Sequence, residues 1–315
     1  MIVTLTLNPS VDRTVEVEAL VRGEVMRALG VRVDPGGKGI NVSRALATHH
    51  LATRAVVTLG GAEGEHLLAL LANTGIEVVP VRIRGAIRSN ITVVEPDGTT
   101  TKFNEPGAQL SDDELAAVFA AVKVAVESAD WLVASGSLPP GMPADVYAEL
   151  VRGLAGSGTS VAVDTSGPAL EAVLAAGPTL VKPNRDELAE LTGRPLRTIA
   201  DVVEAARRLC DLGAGAVLAS LGPDGAVLVD DDGAIHGWTP AVAPLSSVGA
   251  GDAMLAGFLA GGGHGAEALT EALAWGAAAV LQPGSGMPSP GDIDRSAVRL
   301  ERQLALQRDL LAMPP

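Results

Sequence analysis

In the segment Ser246-Ser247-Val248-Gly249-Ala250-Gly251-Asp252, a carboxylate stands at the end of a glycine-rich turn, and an apolar run, residues 253–260, follows at once. Such a pattern opens a helix. The first backbone N–H groups of a helix have no partner within it and attract anionic oxygens. A carboxylate held among them can take a proton from an attacking hydroxyl. Asp252 as base, with Gly249, Ala250 and Gly251 as an amide cradle, would move a phosphoryl group onto an alcohol. The same residues also make a plain helix start, with Asp252 favoured by the macrodipole. Other segments must therefore decide.

Pro35-Gly36-Gly37-Lys38-Gly39-Ile40-Asn41 precedes a second helical pattern. Its glycines let backbone approach a ligand closely, and Lys38 and Asn41 add donors. Lys38 is followed by Gly39 and not by Ser or Thr, so this is no Walker A loop, and the dinucleotide fingerprint is not met either. Asn8-Pro9-Ser10-Val11-Asp12 follows the first predicted strand, where α/β proteins bind ligands, which places Asn8 and Asp12 to meet sugar hydroxyls. Lys182-Pro183-Asn184-Arg185-Asp186-Glu187 also leaves a strand for a helix. Asn184 and Glu187 share a helix face there and could reach phosphates or a hydrated Mg²⁺, or could simply cap the helix. Ser220-Leu221-Gly222-Pro223-Asp224-Gly225 and Ser135-Gly136-Ser137-Leu138-Pro139 are further turns at strand ends. Arg88 and Asn90 could close on an anion. The five histidines show no metal-ligand spacing.

The elements that must hold these segments follow from periodicity. Apolar stretches at residues 2–7, 55–59, 131–134, 160–163, 180–182 and 216–220 read as strands alternating with amphipathic helices, which predicts an α/β sheet covered on both faces. Ser111-Asp112-Asp113-Glu114 has the form of a capping box before one such helix. Residues 14–18, 31–34, 91–95 and 99–103 break the rhythm as short strands. They predict a small β lid drawn from about 12–35 and 86–104, within a single domain spanning 1–315. A final helix is expected over 297–311.

With 315 residues and 47% hydrophobic residues, the chain can bury a full core, although only 2% of it is aromatic. The single cysteine, Cys210, falls on an apolar helical stripe and excludes an internal disulfide. A net charge of −14 argues against nucleic-acid or anionic-membrane partners. The N-terminal apolar run is too short for a signal peptide, so a cytoplasmic protein is expected. Of only four lysines, two, Lys38 and Lys182, lie in the motif-like segments.

Taken in order, Asn8-Pro9-x-x-Asp12, Gly36-Gly37-Lys38-Gly39-x-Asn41, Ser135-Gly136-Ser137-Leu138-Pro139, Lys182-Pro183-Asn184-x-x-Glu187, Ser220-Leu221-Gly222-x-x-Gly225 and Gly249-Ala250-Gly251-Asp252 resemble the ribokinase-like (PfkB) carbohydrate kinases over almost the whole chain. The resemblance implies a three-layer sandwich with a mostly parallel central sheet and a β lid, and an ATP- and Mg²⁺-dependent kinase that dimerises through the lid. It implies Asp252 as base and 249–251 as the anion hole. Asp12, Asn41 and Gly37 would face the sugar, and Lys38, Arg88, Asn90 and Ser137 its phosphate. Lys182, Asn184, Glu187, Ser220, Gly222 and Gly225 would attend the nucleotide and its metal. The likeness is nearest to the bacterial hexose-phosphate kinases, making fructose 1-phosphate the expected acceptor, with tagatose 6-phosphate and fructose 6-phosphate as alternatives. A phosphosugar sensor without catalysis is the non-enzyme alternative. Ala253 stands where the family commonly has Ser, and 99–104 match only loosely.

Overall fold

The computed structural model describes residues 1–240 and 242–310. The N-terminal part runs β1 (Ile2–Thr6), β2 (Ser10–Glu16), β3 (Gly30–Gly36), α1 (Lys38–Thr48), β4 (Thr53–Leu59), α2 (Gly61–Leu71), β5 (Glu77–Arg82), β6 (Arg88–Val94) and β7 (Thr100–Asn104). The middle runs α3 (Asp112–Ala125), β8 (Trp131–Ser135), α4 (Val146–Gly153), β9 (Ser160–Asp164), α5 (Gly167–Leu174), β10 (Leu180–Val181), α6 (Arg185–Thr192) and α7 (Ile199–Asp211). The remainder is β11 (Val217–Ser220), β12 (Ala226–Asp230), β13 (Gly233–Trp238), α8 (Ala250–Ala260), α9 (Gly265–Ala279) and β14 (Arg299–Glu301).

Ten strands form the central sheet in the order β14-β13-β12-β11-β10-β9-β8-β1-β4-β5. It is parallel from β5 to β11 and antiparallel from β11 to β14. Alternation along the strands sends side chains to both faces of the sheet. Val3, Leu5 and Val56 pack with Val118, Leu150, Leu170 and Val202 of the helices on one face. Ile2 and Val133 pack with Leu46, Phe258, Leu273 and Trp275 on the other. Helices thus cover both faces of a mostly parallel sheet, as the periodicity predicts.

The second sheet has the order β3-β2-β6-β7, with a parallel β2–β6 pair between two antiparallel pairs. Its strands fall within two residues of the expected lid. Asp12 pairs with Asp34 and with Asn90 across the sheet, so one of its faces carries polar groups. The opposite face exposes Val31, Ile91 and Phe103.

The expected helix over 297–311 is not what forms. After a short 3-10 turn, Arg299–Glu301 pairs with β13, and the following residues run along the start of α7. The Ile199 and Ala200 N–H groups donate to the carbonyls of Arg308 (3.1 Å) and Leu306 (2.9 Å). These carbonyls satisfy donors that a helix start leaves open, which a helical tail could not do. Leu311 lies outside the described residues. Strand β5 escaped the periodicity reading because it contains Pro80, an ordinary residue for the sheet-edge position it occupies.

Candidate active site

The motif segments lie at the carboxyl ends of the parallel strands, where an open α/β sheet binds its ligands. Asn8 follows β1, Ser135–Ser137 end β8, Asp164 ends β9, Lys182 follows β10 and Ser220 ends β11.

Helix α1 can start there because of its glycines. Gly37 has φ 122°, and a Cβ at Gly39 would stand 2.5 Å from Thr6 Oγ1 and 2.8 Å from the Leu5 carbonyl oxygen. With nothing larger in the way, α1 lies against β1. The Thr6 hydroxyl then accepts the Ile40 N–H at 3.1 Å, a cap supplied by the strand because Gly37 has no side chain to supply one. The next turn carries Asn41 to the start of α8, where its Nδ2 donates to Asp252 Oδ2 at 2.8 Å.

Helix α8 opens at Gly249, in the left-handed region at φ 81°, with no side-chain cap. The Ala253 N–H closes the first turn on the Gly249 carbonyl at 2.8 Å. The N–H groups of Gly251 and Asp252 precede that bond and have no partner among the described residues. Asp252 is only 7% exposed. Burial, reinforced by the negative charge of Asp164, pushes its carboxyl up to about 6 against the pull of Lys38, Asn41 and Lys182. A carboxylate in that range can take a proton near neutral pH and give it up again.

Asp164 was not singled out by the sequence reading, and it organises the site. It is buried at the end of β9 between the two lysines, with Lys38 Nζ 2.7 Å from Oδ1 and Lys182 Nζ 3.1 Å from Oδ2. Burial opposes its ionisation, but Lys182 and Lys38 outweigh burial and hold Asp164 below the ordinary carboxylate range. Lys38 is likewise disfavoured by burial yet raised overall by Asp164, with Asp252 and Glu187 adding to the pull. Lys182 Nζ lies 3.4 Å from where a Gly251 Cβ would be, so this ammonium sits against the open start of α8. The only local signal for Asp164 is an Asp ending a predicted strand. Its importance comes from two lysines separated from it by 126 and 18 residues.

The sugar-side candidates form a second group. Asn90 Nδ2 donates to Asp12 Oδ1 (2.9 Å) and Ser10 Oγ (3.1 Å). Asn8 Nδ2 reaches Pro106 O at 3.1 Å and Ser137 Oγ at 3.4 Å, and Arg88 Nη2 donates to the Asn8 carbonyl at 3.1 Å. The Asn90 Oδ1 and Arg88 Nε atoms are buried without a hydrogen-bond partner. Lys38, grouped with these residues by the resemblance, is placed instead with Lys182 and Asp164.

The nucleotide-side candidates are less open. Asn184 and Glu187 close a capping box at α6: the Asn184 side chain accepts the Glu187 N–H, and Glu187 Oε2 accepts the Asn184 N–H at 2.8 Å. Ser220 adjoins them through a bridge between the two backbones. Gly222 begins a short 3-10 turn and Gly225 ends it. A Cβ at Gly225 would come within 2.0 Å of the Gly237 carbonyl oxygen, so glycine is needed there by strand β13 whatever ligand the turn meets.

The arrangement has clear relatives. The family model for pfkB family carbohydrate kinases matches residues 5–291. This chain belongs to the PfkB carbohydrate kinases. It is 41% identical to a 1-phosphofructokinase of Rhodobacter capsulatus over 92% of this chain and 93% of that one. It is 38% identical to the ATP-dependent 6-phosphofructokinase isozyme 2 of Escherichia coli over 96% and 99%. Among solved structures, phosphofructokinase-2 of Escherichia coli in complex with potassium superposes with a TM-score of 0.86 at 38% identity, covering 92% of this chain and 96% of that one. A ribokinase of Arabidopsis thaliana, at 24% identity and a TM-score of 0.74, shares the fold, covering 92% and 96%. As a PfkB carbohydrate kinase, the chain is a phosphotransferase acting on an alcohol. The ribokinase-like architecture expected from its motifs is the one observed.

Proposed function

We propose that this kinase, working as one ribokinase-like domain in the cytoplasm, transfers the γ-phosphoryl group of ATP to the 6-hydroxyl of fructose 1-phosphate, giving fructose 1,6-bisphosphate and ADP. The observation that carries the chemistry is Asp252, buried and held by Asn41 at the uncapped start of α8. The acceptor rests on the resemblance to 1-phosphofructokinases.

Asp252 takes the proton of the attacking hydroxyl. The N–H groups of Gly249, Gly251 and Asp252 receive the equatorial oxygens of the migrating group, and Lys182 and Lys38 add positive charge beside them. The Ala250 N–H, expected in the same cradle, donates instead to the Ser247 carbonyl at 3.4 Å. Positioning and charge stabilisation of this kind are nearly all that phosphoryl transfer requires of a protein. Asp12 and Asn41 orient sugar hydroxyls near Gly37. Arg88, with its buried Nε unmatched, together with Asn90, Ser137 and Asn8, is left to hold the phosphate already on the sugar. Ser220 and Gly222 line the nucleotide side, with Gly225 shaping the turn.

Among the described residues no group of three His, Cys, Asp or Glu side chains could hold a metal. Asn184 and Glu187, at the start of α6, would hold a Mg²⁺ ion through its waters. When bound, the ion would neutralise charge on the transferring phosphates. The exposed Val31, Ile91 and Phe103 on the outer face of the small sheet fit a homodimer formed through it. No helix of the described residues is long and apolar enough to cross a membrane.

The test is a ranking of kcat/KM over fructose 1-phosphate, fructose 6-phosphate, tagatose 6-phosphate and ribose. Fructose 1-phosphate is expected to lead by tenfold or more, on the order of one well-placed charged contact. A lead for fructose 6-phosphate would move the chain to the other set of relatives, and a lead for ribose would remove the phosphate subsite.

A further inference from the structure

Asn41 meets Asp252 through its amide nitrogen, and what decides that orientation is one turn along the same helix. A carboxamide can rotate about its terminal bond and exchange a donor for an acceptor with almost no change of shape. Arg44 Nη1 donates to Asn41 Oδ1 at 3.2 Å and to Ser285 Oγ at 3.2 Å. Asn41, Ser285 and Asp252 are all less than a tenth exposed, so water does not readily substitute for any of these partners. A guanidinium only donates, so it selects the oxygen end of the amide and leaves the NH₂ for Asp252.

We propose that Arg44 is a positioning residue: by fixing the Asn41 carboxamide it keeps a donor, and never an acceptor, turned toward Asp252, and so keeps Asp252 ionised and aimed. With the amide reversed, its NH₂ would face the guanidinium and its oxygen would face the carboxylate. Both contacts would be repulsive, and only protonation of Asp252 would relieve the second.

The surroundings agree with this geometry. Asp252 is faced by Asn41 and Lys38 from α1, Asp164 from β9 and Lys182 beyond β10, none of which acts on the far end of the Asn41 amide. Arg44 is faced by Asp34 and Arg32 of β3, Asp12 of β2 and Asp252 itself. Arg32 pairs with Asp34 at 2.8 Å, and Ser285 anchors Arg44 from the loop after α9. Arg44 thus sits between the polar face of the small sheet and the start of α8.

The inference rests on the kinase reading for its consequence, but its test needs no turnover. The Asp252 carboxyl carbon can be followed by NMR against pH in protein labelled with ¹³C at aspartate, the resonance assigned with Asp252→Asn. In Arg44→Met the Asp252 midpoint is expected to rise by about one pH unit, the size of replacing a charge-assisted hydrogen bond. In an Asn41→Ala background the same exchange should move it much less, because the amide through which Arg44 acts is gone. A rise that persists in full without Asn41 would show the bare field of the guanidinium and overturn the relay. An unmoved midpoint in Arg44→Met would overturn it as well.

Ser285→Ala, which only loosens Arg44, should give a smaller rise, and Arg44→Lys should restore part of the loss. Ser285→Ala carries the test if Arg44→Met does not fold, and an unmoved midpoint there defeats the proposal. The acid limb of single-turnover rates, measured with whichever acceptor the substrate ranking selects, should follow the NMR midpoints. No turnover with any acceptor would sink the kinase reading and leave the NMR result standing.

Discussion

Helices α8 and α6 both start in a motif that the sequence marks as ligand-binding, and the structure treats them in opposite ways. At α6 the chain closes on itself: Asn184 and Glu187 satisfy each other's N–H groups in a capping box. At α8 the capping position is Gly249, which has no side chain, and the first-turn donors stay open beside two ammonium groups. An uncapped start costs on the order of 1 kcal/mol, and at α8 it leaves open the donors that the proposed phosphoryl transfer would use. Helix α6 is finished by its own side chains, whereas the start of α8 is left open. The glycine, more than the carboxylate, is what distinguishes them, since both helices carry acidic residues in the first turn.

The largest effect should come from the carboxylate at the open end. Asp252→Asn keeps the shape and removes the base, so turnover should fall by about 10²–10⁴ or more while ATP still binds in an equilibrium assay. The same variant should be more stable. A buried carboxyl raised above its unfolded value stabilises the fold only while protonated, and that contribution is lost as pH rises through about 6. At neutral pH the ionised Asp252 is therefore a burden, and Asp252→Asn should melt at least as high as the parent by calorimetry. A lower melting point together with retained turnover would make α8 an ordinary helix start like α6.

Next comes the charge behind the open end. Asp164→Asn removes a negative neighbour of Asp252 and leaves Lys38 and Lys182 without their shared partner. Removing the like charge and freeing both cations each lower the Asp252 pKa, so the acid limb of the rate should move to lower pH. Stability should drop by about 3–5 kcal/mol, the usual consequence of leaving a buried charge unpaired, and denaturant unfolding would measure it. Asp164 itself, held below its ordinary range, supplies stability at neutral pH that disappears as acid protonates it. An acid limb that stayed in place would detach Asp164 from the chemistry and leave it a structural ion pair.

What could be read in advance follows the same division between local and distant causes. The parallel strands other than β5, the capping box of α3 and the positions of the small sheet are each written in a few neighbouring residues, and all of these are found. Asp252, Asn41 and Lys182 were legible because each stands in a short motif at a strand end or helix start. Asp164 and Arg44 were not. Asp164 meets Lys38 and Lys182 from other elements, and the role proposed for Arg44, though it passes through Asn41 on the same helix, depends on Asp252 and Ser285 being brought there from elsewhere. The C-terminal segment misled for a related reason. Its apolar spacing suits a helix, but its backbone groups have better partners on β13 and at the start of α7.

The smallest effect, and the finest test of the comparison, lies at the closed end. Glu187→Gln preserves an acceptor for the Asn184 N–H, and Gln serves in capping boxes, so the fold should lose under about 1 kcal/mol. The same exchange at α3, Glu114→Gln, alters a box that lies outside the site and provides the control. If α6 were only a finished helix end, the two variants would behave alike, with a slightly lower melting temperature and unchanged kinetics. Glu187, however, adds to the field on Lys38, so its negative charge reaches the site even though its backbone partner is its own helix. Glu187→Gln should therefore raise the Mg²⁺ concentration needed for half-maximal rate by about three- to tenfold, the scale of losing one water-mediated or charge contact, while Glu114→Gln leaves it unchanged. Titrating the rate with Mg²⁺ at fixed ATP decides between them. Identical Mg²⁺ dependence in both variants would mean that α6 contributes a scaffold and no chemistry, and that the working half of the comparison is α8 alone.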